Sequence, residues 1–149
     1  MKYVLLALAG ILALTSTAQA ADTVEGYWLT QNERAVVKIS PCADSVCGKV
    51  YWIIDGGLQY DEHNPDEAMR TRPMCGLQIL GDFEKAGENA WDSGYIYKAD
   101  EGDMYAANIA LQDDGTLKLR GYMGISLLGK TQVWNRVNPS DYKACRAPS

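Results

Sequence analysis

From Gly26 onward, side-chain character alternates every second residue in short segments rich in β-branched and aromatic residues. Turn-forming residues break the pattern about every eight to fifteen positions. A period of two is the signature of a strand with one face turned inward, and it predicts strands over residues 27–30, 35–40, 48–54, 77–83, 90–97, 104–111, 116–122 and 131–137. The links between them carry hairpin chemistry. Gln31-Asn32-Glu33, Asp55-Gly56-Gly57, Ala86-Gly87-Glu88-Asn89, Asp100-Glu101-Gly102-Asp103 and Asp113-Asp114-Gly115 include the Asp-Gly and Gly-Gly pairs that accept positive φ. Consecutive strands joined by hairpins run antiparallel, and about eight of them with one apolar face close most simply into an up-and-down barrel. A two-sheet sandwich is the alternative.

The same period assigns faces. On the sixth segment Tyr105, Ala107, Ile109 and Leu111 share the more apolar side, and on the seventh Leu117, Leu119 and Gly121 do. On the third, Val50, Trp52 and Ile54 form the set without a lysine and are expected to point inward. Four Trp and nine Tyr stand against one Phe, so many large side chains carry a polar tip on an apolar body. Such residues line sites for small amphipathic molecules, and they also fill ordinary cores. The expected lining is Trp28, Trp52, Tyr105, Ile109, Leu117, Leu119 and Trp134, with small residues such as Ala107 and Gly121 leaving room for a ligand or a neighbouring ring.

One stretch breaks the rhythm. Residues 55–76 are too many for a hairpin, and within them Asn64 as an N-cap, Pro65 at the first helical position, Asp66 and Glu67 in the first turn and Arg70 at the end predict a short helix over 64–70. An excursion between two strands of a small barrel falls over one mouth. There it gates a pocket or simply covers the core.

Before the barrel, Lys2, the apolar run from Val4 to Leu14 and Ala18-Gln19-Ala20 read as a secretory signal peptide cleaved after Ala20. The run falls short of the roughly 20 residues that span a bilayer. Residues 21–149 are then a single domain, expected in the periplasm, with secretion as the alternative and no transmembrane segment. In that oxidising setting the four cysteines favour disulfides. Of the three pairings, Cys42 with Cys47 and Cys75 with Cys145 is preferred, because the first two flank a turn and the second pair would fasten the C-terminal tail. A zinc site is disfavoured by the single His and the absence of a Cys-x-x-Cys motif. With 14 Lys and Arg against 19 Asp and Glu, the net charge of −5 repels a phosphate backbone and argues against nucleic acid as a partner.

Two further features carry a resemblance. Gly26-Tyr27-Trp28 opens the first strand and Thr131-Gln132-Val133-Trp134-Asn135-Arg136-Val137 forms the last. The pairing resembles that of lipocalin-like (calycin-like) barrels, in which the opening Trp closes one end and an Arg from the last strand lies across it; for this chain that implies Trp28 and Arg136. A longer set resembles the bacterial exported family catalogued as domain of unknown function 2147. It comprises Cys42 with Cys47-Gly48, Asn64-Pro65-Asp66, Arg70-x-Arg72-Pro73 before Gly76-Leu77, Trp91 with Gly94-Tyr95-Ile96-Tyr97, Tyr105, Leu117 through Tyr122, and Gly129-Lys130-Thr131-Gln132-x-Trp134. This likeness covers nearly all of the chain after the leader and implies a lipocalin-like barrel in the cell envelope. It brings no activity with it.

Nor do the residues offer a catalytic constellation. His63 is the one histidine and sits in a polar loop, no serine lies in a Gly-x-Ser-x-Gly frame, and the adjacent acids fall in turns. Asp100-Glu101-Gly102-Asp103 lacks the spacing of a calcium loop. An enzyme would need a perturbed residue in a cleft, with His63, Tyr105 or a buried Asp as candidates. The expectation is therefore an exported lipocalin-like protein that binds a small apolar or amphipathic molecule without a cofactor. A filled-core protein-interaction or envelope-structural module is the second reading.

Overall fold

A computed structural model describes residues 23–124 and 128–148. The signal-peptide reading falls on residues 1–20 and lies outside them. Eight strands follow one another: β1 (Gly26–Leu29), β2 (Ala35–Cys42), β3 (Ser45–Ile53), β4 (Gln78–Lys85), β5 (Ala90–Lys98), β6 (Asp103–Leu111), β7 (Leu117–Tyr122) and β8 (Lys130–Arg136). Each pairs antiparallel with the next, and β1 returns to β8, so the sheet closes into an up-and-down barrel rather than a sandwich. Closure removes the sheet edges that would otherwise template aggregation. The β1–β8 seam is short, with Trp28 opposite Arg136 and Leu29 opposite Asn135. Beyond it, the Gln31 side chain accepts a hydrogen bond from the Val133 amide at 2.9 Å and continues the join.

One end of the barrel is packed solid. Trp28, Val37, Ile39, Leu80, Phe83, Trp91, Ala107, Ile109, Leu117, Leu119 and Trp134 form a single buried cluster with Val24 beneath them. Room for the Phe83 ring comes from Gly94, where a Cβ would stand 2.3 Å from that ring. The Trp28 indole N–H donates to the Val24 carbonyl at 2.9 Å. Over its face lies the Arg136 guanidinium, 4.2 Å from the ring centre, which donates to the carbonyls of Glu25 at 2.7 Å and Thr23 at 2.5 Å. Gly26 is glycine for the same reason: its φ is +136°, and a Cβ there would sit 2.5 Å from Arg136 Nη1.

Two expectations are corrected. The excursion after β3 holds only a 3-10 turn, Glu67–Met69, capped by Asp66, in place of a helix over 64–70. The Asn64 carbonyl, which would accept the first helical bond, accepts from the Arg70 guanidinium at 2.8 Å instead. The faces of β3 also change partway along. Val37 pairs with Val50 but Val36 with Trp52, so a bulge inserts one residue, and the alternation that placed Val50, Trp52 and Ile54 on one side is lost. Val50 is buried, while Trp52 packs edge-on against Tyr142 of the C-terminal tail, ring centres 4.9 Å apart.

Disulfides join Cys42 to Cys47 across the β2–β3 turn and Cys75 to Cys145. The second ties the tail to the excursion, and the Cys145 amide also donates to the Tyr51 carbonyl at 2.8 Å. Among the described residues no helix is long and apolar enough to cross a membrane.

Candidate functional site

The end of the barrel opposite Trp28 is framed by the β1–β2 turn, the excursion over residues 54–77, the β5–β6 turn and the approach to β8. Here the side chains fill only part of the interior. A cavity of about 580 Å³ opens between them, walled by Val50, Ile53, Ile79, Ile96, Ala99 and Trp134 and roofed by Leu58, Tyr60 and Met74 of the excursion. Polar groups gather at its rim: Asn32, Arg34, Glu62, Lys98, Asp100 and Gln132. A second lobe of about 290 Å³ lies toward β6 and β7, among Tyr105, Leu119, Gly121, Met123, Leu128 and Lys130. The two lobes share Ile96, Lys98 and Gln132, so they are adjoining parts of one open end. Each is near or within the few hundred Å³ typical of small-molecule sites.

What holds the excursion over this end is a buried polar knot. Asp61 is wholly buried, and its carboxylate accepts from the Tyr97 hydroxyl at 2.5 Å, the Asn64 amide at 2.8 Å and Arg72 Nε at 2.7 Å. Asn64 also donates to the Tyr97 oxygen at 3.1 Å. Satisfying a buried carboxylate from three sides offsets the cost of taking it out of water. Burial, together with the Asp61 carboxylate beside it, pushes the Tyr97 hydroxyl pKa above its ordinary value. Around the knot Val50, Met74, Tyr97 and Ala99 make a second small core that joins excursion to barrel wall. Gly102 completes the join. It has φ +75°, and a Cβ there would fall 2.0 Å from the His63 carbonyl oxygen.

The side chains that the sequence proposed as lining are distributed unevenly. Trp134 lines the larger lobe; Tyr105 and Leu119 line the smaller. Trp28, Ile109 and Leu117 are at most 2% exposed in the packed end and line neither. Trp52 lines neither and packs on the tail. Arg136 and Trp28 stack at the opposite end of the barrel from the cavity. Sequence reasoning missed the excursion's share of the lining, although Leu58 and Met74, which line the larger lobe, are apolar residues in a largely polar stretch and are the signal that it folds inward.

His63 is exposed in the excursion with Glu62 3.7 Å away. Among the described residues no group of three or more His, Cys, Asp or Glu side chains could hold a metal ion.

An eight-stranded closed barrel with one plugged and one open end is a lipocalin-like fold. The chain belongs to the family described as "Uncharacterized protein conserved in bacteria (DUF2147)", which matches residues 26–136. It is similar in structure to a Helicobacter pylori protein described as belonging to the lipocalin family. The TM-score is 0.75 and the identity 23%, with 83% of this chain and 91% of that one covered. No curated protein matches the chain.

Proposed function

We propose that this protein is an exported carrier or sensor that takes a small, largely apolar molecule into the open end of its barrel. The observation that carries the reading is the contrast between the two ends. The same fold that packs Trp28, Phe83 and Leu117 into a solid floor leaves about 580 Å³ open above Trp134. An apolar wall beneath a polar rim suits a ligand with an apolar body and one polar end. Export and cleavage after Ala20 belong to this proposal, supported by the two disulfides, which persist in an oxidising compartment.

Tryptophan fluorescence tests the reading with the chain's own probe. Trp134 belongs to the packed cluster but also lines the cavity, whereas Trp28 and Trp91 of that cluster do not and Trp52 lies against Tyr142. Titration with dodecan-1-ol is expected to give a saturable, one-site change in emission that Trp134→Phe abolishes. A change that never saturates, or that persists in Trp134→Phe, would contradict binding at this end.

A further inference from the structure

The smaller lobe contains an ion pair that the packing of the barrel does not require. Glu101, on the turn between β5 and β6, places one carboxylate oxygen on the Lys98 ammonium, while the other accepts from the Tyr105 hydroxyl at 3.1 Å. All three side chains line the lobe, together with Lys130. Glu101 is exposed and belongs to a turn rather than a strand, so its side chain is free to leave without breaking the barrel's ladder. Behind it the lobe is apolar, walled by Ile96, Leu119, Gly121, Met123 and Leu128. A carboxylate held by an ammonium and a phenol at the head of an apolar slot is the arrangement that a bound acid would make.

We propose that Lys98, Tyr105 and Lys130 form the receptor for the head of a single-chain, carboxylate-bearing amphiphile, and that Glu101 occupies this receptor until such a ligand displaces it. The inference rests on the cavity reading above and names the ligand class for that site. Three titration directions agree with the geometry. The hydrogen bond from Lys98, then that from Tyr105, holds the Glu101 carboxyl below its ordinary value, and the contact with Glu101 raises both partners. Each shift reports that this spot favours a negative carboxylate between a positive amine and a protonated phenol. Asp100, 3.6 Å from Lys98, shares the ammonium and limits what removal of Glu101 releases.

The test compares dodecanoate with dodecan-1-ol, by isothermal titration calorimetry at neutral pH, on the wild type, Glu101→Gln and Lys98→Met, with circular dichroism confirming that all three fold. Removing the internal competitor is expected to tighten dodecanoate about fivefold, the scale of a solvent-facing ion pair. Lys98→Met should weaken it, and the alcohol should stay within about twofold between the wild type and Glu101→Gln. Alcohol binding accompanied by dodecanoate affinity that Glu101→Gln leaves unchanged or lowers would overturn the inference while leaving the cavity reading intact. Failure of both ligands to bind any of the three would contradict the cavity reading, and the inference would fall with it.

Discussion

Gly102 and Tyr97 are single residues on which the closure of the open end depends. At Gly102 any side chain meets two obstacles at once, a φ of +75° and the His63 carbonyl, 2.0 Å from where a Cβ would lie. Gly102→Ala is therefore expected to cost at least about 1 kcal/mol in urea denaturation and to speed amide exchange across residues 59–64. Unchanged exchange there would separate the turn from the excursion. Tyr97 links the knot to pH. Its pKa is raised in the fold, so the stability it contributes is complete below about pH 10, the unfolded value, and is lost as pH climbs toward the folded value. Asp61 and Asn64 bond its hydroxyl, and Arg72 lies 5.7 Å from its ring centre. The stability advantage of the wild type over Tyr97→Phe, about 1 kcal/mol at pH 7, should shrink as the pH passes about 10. A difference independent of pH would contradict that account.

Strands and turns were legible in proportion to how local their causes are. All eight segments read as strands are strands, because alternation and Asp-Gly turns act within a few residues of one another. The bulge in β3 is not local in this sense. One extra residue between the Val50 and Trp52 pairings reverses the faces, and nothing in Val50-Tyr51-Trp52 announces it, so Trp52 was misplaced. The excursion does not continue as a helix because the Ala68 amide, which would donate to the Asn64 carbonyl, donates to the Asp66 side chain. Gly121 shows the reverse, since this small inward-facing residue lines the smaller lobe, and a Cβ there would sit in ordinary contact with Tyr105 at 3.5 Å and Ile96 at 3.8 Å. Gly121→Leu is expected to fill the smaller lobe and weaken dodecanoate about tenfold or more with little change in melting temperature, as calorimetry would show. The two disulfides should differ by loop length. Removing Cys75–Cys145, 70 residues apart, is expected to cost up to about 4 kcal/mol in denaturant unfolding, against about 2 for Cys42–Cys47, five apart.

At the scale of the whole molecule, the barrel divides its labour between its ends. The floor binds strand to strand through Trp28, Arg136 and the aliphatic cluster, and it leaves the mouth to the excursion, which Asp61 pins and Cys75–Cys145 straps to the tail. Closure of the barrel was legible because eight antiparallel strands, most of them joined by hairpins, have few other ways to hide their edges. The position of the cavity was not, because it depends on where the excursion lands, and that is set by contacts such as Asp61 with Tyr97 across 36 positions of sequence. Whether this space holds a molecule is the central claim, and native mass spectrometry addresses it directly. The full-length protein is produced in a bacterium, purified without detergent, incubated with a total bacterial lipid extract and weighed under native and denaturing conditions. The account predicts a native mass exceeding the denatured one by a few hundred daltons, at one ligand per barrel, with the surplus reduced in Gly121→Leu. Native and denatured masses that agree after that incubation would contradict it.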